Sequence, residues 1–297
     1  MSIKGVGIDI HSPRINGDLG IFRRDLDYYA ECGFDYVEIP VHGVDGIIAG
    51  RLNERRVREV REILAGYGFR YTVHSPDPLN LFDVEHLAWH KEVFRSSIAF
   101  AQEIGAETVV YHAGRVDAHH EKPALGLDEL KTVERDALQE MVELAVAARV
   151  TIGVENGGQD SYSGVIAELV AQVRAIAHPV VGITLDFGHA FLTAQQHSFD
   201  YLSAVRMAAP YIVHLHVHDN CGRTVGLPSG VPYIFSVPFG IGDLHMPPGW
   251  GSIPYEQIFS ALCIPPSVFL MELSPRYADV FPEALAEARR LASLVGG

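Results

Sequence analysis

Short apolar segments rich in β-branched residues alternate with amphipathic segments along the whole chain. The apolar segments have the length of buried strands and end in polar, Gly or Pro residues. They span residues 6–10, 36–41, 71–76, 108–114, 151–158, 181–190, 212–220 and 268–274. The segments between them repeat apolar residues at the helical period, as do Leu130, Val133, Ala137 and Met141. The pattern predicts a strand followed by a helix, repeated eight times.

This alternation predicts a single (β/α)8 TIM barrel over residues 1–297, because parallel strands need crossover helices and the length suits that fold. An open doubly wound sheet would alternate in the same way. However, the first strand runs into HSPR and not into the GxGxxG turn of dinucleotide-binding sheets. The connection 221–252, rich in Gly, Pro and aromatic residues, is longer than a usual loop. Since it follows a strand, we interpret it as a lid over the barrel mouth.

Composition and charge indicate a protein that handles small molecules. The chain has 23 Lys and Arg against 37 Asp and Glu, a formal charge of −14, and no basic stripe, which disfavours a nucleic-acid partner. The three cysteines are widely spaced and form no CxxC pair, which is typical of a reduced compartment. No apolar stretch or signal-like start predicts a membrane partner. We expect a cytoplasmic protein, and the sequence leaves open whether it forms a homo-oligomer.

Acidic residues and histidines stand at the carboxyl ends of the predicted strands and in the long connection. In a TIM barrel these ends meet at one mouth, where active sites lie. In chain order the residues are His74, His112, Glu155, Asp186, His189, His216, Asp243, His245 and Glu272. Few Lys or Arg residues accompany them, and buried carboxylates are costly without a partner. Imidazoles and carboxylates without cysteine predict a divalent metal, with Mn²⁺ or Zn²⁺ as first candidates and Fe²⁺ or Co²⁺ after them.

The segment HLHVHDN, residues 214–220, carries three histidines at alternate positions. Alternate residues of a strand share one face, so His214, His216 and His218 are all expected to point into the barrel. Only one of them needs to bind metal. For His214, the deepest of the three, we expect a structural role.

Several strand-end motifs resemble those of the xylose isomerase-like barrel superfamily, in particular sugar phosphate isomerase/epimerase-like proteins, and more distantly endonuclease IV. The motifs are HSPDPLNL, YHAG, VENGG, LDFGHA, HVHDN and DLHMPPGWGSIPYEQIF. The resemblance implies a metal site of four ligands, Glu155, Asp186, His216 and Glu272. It favours His216 over His218 because His216 and Asp219 fill an HxxD step.

The likeness to endonuclease IV implies further ligands and raises the metal count to between one and three. The additional positions are His74, His112, His189, Asp243 and His245. One difference from that family concerns DNA. Asp77 and Pro78 stand where endonuclease IV carries an aromatic and an aliphatic residue that probe the base stack. An acid facing phosphates on a chain of charge −14 argues against DNA repair.

A metal-dependent isomerase or epimerase of a ketose or related sugar, free or phosphorylated, is the first functional prediction. The metal would stabilise an enediolate, while Glu155 and Glu272 would remove a proton on one face and return it on the other. Further residues are predicted to bind the substrate: His189, Arg223, Glu38 and His11.

Other functions use the same residue types. A multi-metal hydrolase of a phosphate ester or sugar-linked bond would use two ions to generate a hydroxide and stabilise the leaving oxygen. A lyase or dehydratase would begin with the same proton abstraction as an isomerase. A sugar-binding module without catalysis is disfavoured, because binding alone does not call for a ring of metal donors.

Overall fold

The computed structural model describes residues 2–116, 125–158, 161–224 and 236–296. In chain order the strands are β1 (Ile3–Asp9), β2 (Tyr36–Pro40), β3 (Ile47–Ile48), β4 (Arg51–Leu52), β5 (Arg70–His74), β6 (Thr108–His112), β7 (Thr151–Glu155), β8 (Val181–Asp186), β9 (Ile212–Val217) and β10 (Ser267–Met271). Eight of them close a parallel barrel in the order β1, β10, β9, β8, β7, β6, β5, β2. The predicted TIM-barrel fold is confirmed. The pair β3 and β4 forms a separate antiparallel hairpin.

Helices occupy the connections between the barrel strands. They are α1 (Ser12–Ile15), α2 (Leu19–Cys32), α3 (Glu54–Leu64), α4 (Leu87–Ile104), α5 (Leu127–Ala148), α6 (Ile166–Ile176), α7 (Phe187–His197), α8 (Tyr201–Ala208), α9 (Tyr255–Ser260) and α10 (Phe281–Ala292). Side-chain caps fix several starts, since Asp18 accepts from the N–H groups of Gly20 and Ile21 at α2, and Asp200 accepts from Ser203 at α8. Gly33 ends α2 with a φ of 88°, a left-handed conformation that glycine adopts without strain. No described helix is both long and apolar enough to cross a membrane.

Several predicted strand segments extend past the ends of the observed strands, and segment 181–190 extends furthest. The apolar segment 181–190 continues past the end of β8, because α7 begins directly at Phe187. The carboxylate of Asp186 accepts a 2.6 Å hydrogen bond from the N–H of His189 and so caps this helix. The apolar residues after Asp186 therefore lie on the buried side of a helix.

The inside of the barrel changes from apolar to polar toward the carboxyl ends of its strands. Tyr36, Val268 and Leu270 form an apolar cluster in the lower barrel, each at most 1% exposed. Gly7 makes room for it, since a Cβ there would lie 2.7 Å from Cβ of Tyr36 and 2.8 Å from Leu270. Residues of the same parity further along these strands are Glu38 and Glu272. Polar chemistry is therefore confined to one end of the barrel.

A buried aromatic cluster fastens the helical layer to the strands. Phe269 of β10 is fully buried, and its ring centroid lies 5.4 Å from that of Phe259 in α9. Phe259 in turn packs edge to face on Phe187 of α7, with centroids 5.2 Å apart. These contacts bury the outer face of the barrel under its helices.

Replacing Phe269 by alanine is expected to lower the free energy of unfolding by about 3–5 kcal/mol, because the lost ring leaves a cavity in the core. Chemical denaturation measures the change. Leu144→Ala, at a side chain that is 42% exposed, is the control and should cost less than about 0.5 kcal/mol. Equal losses in the two variants would contradict a core role for Phe269.

Candidate metal centre

Four residues meet at the carboxyl end of the barrel as one donor group, which we call the central group. These are Glu155, Asp186, His216 and Glu272, and one ligand atom from each lies within 4.8 Å of the others. Strand register contributes, since Asp186 and His216 are paired positions of β8 and β9. Nδ1 of His216 lies 3.2 Å from Oε1 of Glu155 and 3.5 Å from Oε2 of Glu272. The structure thus brings together the four residues that the family resemblance implied.

A second cluster, the loop group, lies beside the central group. His189, His218, Asp243 and His245 each offer one ligand atom within 4.8 Å of the others. Oδ2 of Asp243 lies 3.1 Å from Nε2 of His189 and 2.9 Å from Nε2 of His245. The rings of His218 and His245 stack with centroids 4.0 Å apart.

Glu155 also belongs to a third cluster, formed with His74 and His112. Its Oε2 lies 3.0 Å from Nε2 of His112 and 3.5 Å from Nε2 of His74. His112 and Glu155 are paired positions of β6 and β7, so the register of the barrel sets this contact. All nine donors named from the sequence therefore converge on one end of the barrel.

Glu38 lies behind the imidazole of His216. Its Oε1 is 3.1 Å from Nε2 of His216, and its Oε2 is 3.1 Å from Nε2 of His214. Thr72 donates a further 2.7 Å hydrogen bond to this carboxylate. A carboxylate behind an imidazole fixes its tautomer and orientation, so Nδ1 of His216 is left to face the central group. As the alternate spacing predicted, both histidines point into the barrel.

A cavity of about 500 Å³ opens over these groups. Of the residues predicted to contact substrate, His11, Glu38 and His189 line it, although Glu38 is only 1% exposed. Arg223 does not line it, because its guanidinium donates a 2.8 Å hydrogen bond to the carbonyl of Phe239. The predicted lid 221–252 includes residues 225–235, which lie outside the described residues, so the lid stays a prediction.

Electrostatics couple these carboxylates to the imidazoles. Burial alone would raise the pKa of Glu155, but the nearby His112 and His216 hold it well below its usual range. Burial opposes a charged His74, yet Glu155 outweighs it and raises the pKa of His74 to about 10. Asp243 likewise outweighs burial and raises the pKa of His245 to about 10. Without metal, the imidazoles of His74 and His245 therefore carry protons that compensate nearby carboxylates.

The donors fit a divalent cation. Within the described ranges, no Lys or Arg forms an ion pair with Glu155, Asp186, Asp243 or Glu272. In the loop group, Nδ1 of His218 and Oδ1 of Asp243 are buried without a hydrogen bond, although they lie 3.5 Å apart. Buried polar atoms of this kind are costly unless a partner satisfies them. Oxygen and imidazole nitrogen donors without thiolates suit Zn²⁺ or Mn²⁺.

Some participating residues were not predicted as donors. His218 was predicted to point into the barrel, with His216 preferred as the ligand, and its Nε2 lies 3.0 Å from Oδ2 of Asp186. The side chain of Asn156 holds the backbone of Asp186 in place. It accepts a 2.8 Å hydrogen bond from the N–H of Asp186 and donates a 2.9 Å hydrogen bond to its carbonyl. At the end of β1, burial and the charge of Glu272 raise the pKa of Asp9 to about 8. Asp9, Asn156 and His218 each lie in the last residues of a predicted strand segment. That position was the sequence feature that could have identified them as site residues.

A TIM barrel with metal-ligating side chains around its mouth defines a recognisable class of proteins. Within it, the chain belongs to the xylose isomerase-like TIM barrel family, whose model matches residues 26–288. A similar curated protein is the L-ribulose-5-phosphate 3-epimerase UlaE of Escherichia coli K12, which is 29% identical over 271 residues, 86% of this chain and 84% of that protein. The resemblance predicted from the motifs is confirmed.

Solved structures show the same fold. A D-tagatose 3-epimerase-like protein matches with a TM-score of 0.70 and 22% identity, over 97% of this chain and 98% of that one. The IOLI protein with a bound zinc atom matches with a TM-score of 0.69 and 18% identity, over 97% and 96% of the two chains. The name of the UlaE relative supports the prediction of a sugar isomerase or epimerase and not the hydrolase alternative.

Gly188→Ala is expected to displace the ring of His218, because a Cβ at residue 188 would lie 2.0 Å from its Cε1. Overpacking of this kind costs about 1–3 kcal/mol of unfolding free energy. Denaturation and the NMR signals of the His218 ring measure the change. The control is Gly158→Ala, where a Cβ would meet nothing within 4 Å. An unshifted His218 signal in Gly188→Ala would contradict the packing described above.

Metal uptake by the central group is expected to release about one proton per ion, because the raised pKa of His216 keeps it protonated without metal and a ligating imidazole is neutral. Affinity should therefore rise with pH. Without metal, the raised pKa of His74 stabilises the fold below pH 6.5, and this contribution is lost as the pH rises through about 10. Calorimetry with Zn²⁺ in buffers of different ionisation enthalpy measures the proton release that accompanies metal uptake. This proton release should be unchanged in His197→Gln, an exposed control. Metal binding without proton release would refute the role of His216 as a ligand.

Proposed function

We propose that this protein is a metal-dependent sugar epimerase or isomerase that acts on a ketose or a related keto sugar. The observation that carries the proposal is the central group, in which a carboxylate at the end of β7 and one just after β10 both approach Nδ1 of the same imidazole. Sugar epimerases among the relatives support the same conclusion. The acidic charge of −14 supports a small-molecule substrate in place of nucleic acid. The free cysteines Cys32, Cys221 and Cys263 support a cytoplasmic location.

Glu155, Asp186, His216 and Glu272 would hold the ion. A divalent cation bound there polarises the carbonyl oxygen of a ketose and so acidifies the neighbouring C–H bond. The zinc-bound IOLI neighbour supports Zn²⁺, and the oxygen-rich donor set suits Mn²⁺ equally well. The loop group would hold a second ion, and the cluster of His74, His112 and Glu155 would add a third, so the proposed count is one to three ions per chain.

Glu155 and Glu272 are the proposed proton carriers. The strands β8 and β9 separate β7 from β10 in the barrel, so the two carboxylates reach the centre from different directions. Glu272 lines the cavity, whereas Glu155 lies fully buried beneath it. One group removes the proton from a substrate carbon, and the other delivers a proton to the opposite face, which inverts that carbon.

Other residues would hold these groups and the substrate in place. Glu38 is proposed to keep Nδ1 of His216 directed at the ion through the hydrogen bond at Nε2. His189 and His11 line the cavity and would bind substrate hydroxyls. Arg223 would contact substrate only if its bond to Phe239 opened.

The loop group is the one observation that favours a multi-metal hydrolase, because adjacent ions can generate a hydroxide and stabilise a leaving oxygen. A lyase or dehydratase needs no different residues, since it also begins by removing a proton next to a carbonyl. Product analysis distinguishes these reactions from epimerisation.

Glu155→Gln is expected to retain metal while lowering proton exchange by about 10²–10⁴-fold, because the amide can still ligate but cannot carry the proton. Deuterium uptake from heavy water into D-tagatose, D-fructose, L-ribulose and L-ribulose 5-phosphate measures exchange, and elemental analysis measures metal. Glu168→Gln, at an exposed residue of α6, is the control and should behave like the unmodified protein. Phosphodiester cleavage by a protein that holds two or three ions and exchanges no substrate proton would replace the proposal by the hydrolase.

A further inference from the structure

The cavity above the central group is lined by acidic side chains and imidazoles. No Lys or Arg is among the described residues that line it. Its carboxylates are Asp9, Glu38, Asp77, Asp243 and Glu272. Proteins bind phosphate esters through Arg, Lys or free N–H groups, so this lining offers a phosphate little to bind.

Three arginines stand close in sequence to residues of the mouth, and each has a partner in the described structure. Arg14 forms a forked pair with Asp25, with one nitrogen 2.6 Å from Oδ1. Arg115 donates to the carbonyl of Asp77 at 3.0 Å. The guanidinium of Arg276 lies over the ring of Tyr277, 5.4 Å from its centroid.

Two of the imidazoles in the lining are uncharged, and two backbone amides at the mouth are occupied. Burial lowers the pKa of His11 and of His42, so both rings stay neutral near pH 7. At the end of β10, the N–H of Leu273 donates to the carboxylate of Asp9. The N–H of Ser274 donates to the carbonyl of His245. These amides, which would otherwise suit an anion, already have acceptors.

Asp77 holds the outermost position of the carboxylate lining. Its side chain is 62% exposed, and its Oδ1 lies 3.7 Å from Nδ1 of His74. A carboxylate there accepts a hydrogen bond from a sugar hydroxyl and repels a phosphate. The rim therefore matches a ligand that brings many hydroxyl donors and no negative charge.

We propose that the substrate is an uncharged polyhydroxy ketone, and that the cavity selects the free sugar against its phosphate ester, with Asp77 as a specificity-determining residue. This inference rests on the proposed epimerase function and adds the substrate class to it. It separates this chain from relatives named for a phosphorylated sugar.

Matched pairs of sugars test the proposal: L-ribulose with L-ribulose 5-phosphate, and D-fructose with D-fructose 6-phosphate. With metal-loaded protein, deuterium exchange should give the free sugar a kcat/KM at least about tenfold above that of its ester, and the ratio should shrink as salt screens the exposed rim. A higher kcat/KM for either ester would overturn the inference. Exchange in neither member of a pair would count against the epimerase function itself.

Calorimetric binding keeps the two failures apart, because it needs no turnover. Inorganic phosphate is expected not to saturate the metal-loaded protein at millimolar concentration, and each ester should bind more weakly than its free sugar. Tighter binding of an ester overturns the substrate class even if no sugar turns over. Weaker binding of the esters than of the free sugars supports the proposed substrate class, even if no sugar turns over.

Asp77→Lys should narrow the preference for the free sugar by about tenfold, since it replaces a repelling charge by an attracting one. Glu143→Lys changes the charge of the chain equally but lies exposed near the end of α5 remote from the mouth, so its ratio should stay that of the unmodified protein. Metal content measured in both variants reports whether the site is intact. An unchanged ratio in Asp77→Lys, or the same change in both, would overturn the role of Asp77.

Discussion

Charge compensation among buried carboxylates is the constraint on which this site depends. Glu155 and Asp186 are fully buried, and in the described part of the chain their ionic partners are imidazoles alone. An imidazole can compensate a carboxylate only while it holds a proton, whereas a divalent cation compensates it with the imidazole neutral. Under the proposed function the site would exchange protons for metal, and the same carboxylates would serve both states.

Strand register makes this compensation possible. Paired positions join His112 to Glu155 and Asp186 to His216 across neighbouring strands. Because side chains alternate between the faces of a strand, a slip of one residue would turn such donors out of the barrel. The same register pairs Gly7 with Tyr36, so that Gly7 leaves room for the apolar floor around Tyr36. The packing of one end of the barrel thus secures the chemistry of the other.

The fold and most of the donors could be predicted from the sequence, because both follow from local patterns. Eight alternating segments indicate a barrel, and the topology of that fold brings every strand end to one mouth. The partners of individual side chains could not be predicted. His218 faces Asp186, and Arg223 bonds to Phe239, through loop conformations that periodicity does not encode. The start of α7 was missed because its first residues are as apolar as the strand before it.

Glu155 stands in two donor clusters at once, one with His216 and one with His112. His216 and His112, which distinguish the two clusters, come from β9 and β6. The contacts of Glu155 within the central group do not depend on the imidazoles of His74 and His112. A single substitution at position 74 or 112 would therefore change how many ions the mouth can hold while the barrel stays intact. Because each strand end contributes its donors separately, single substitutions at strand ends give this architecture an evolutionary route between mononuclear and polynuclear metal sites.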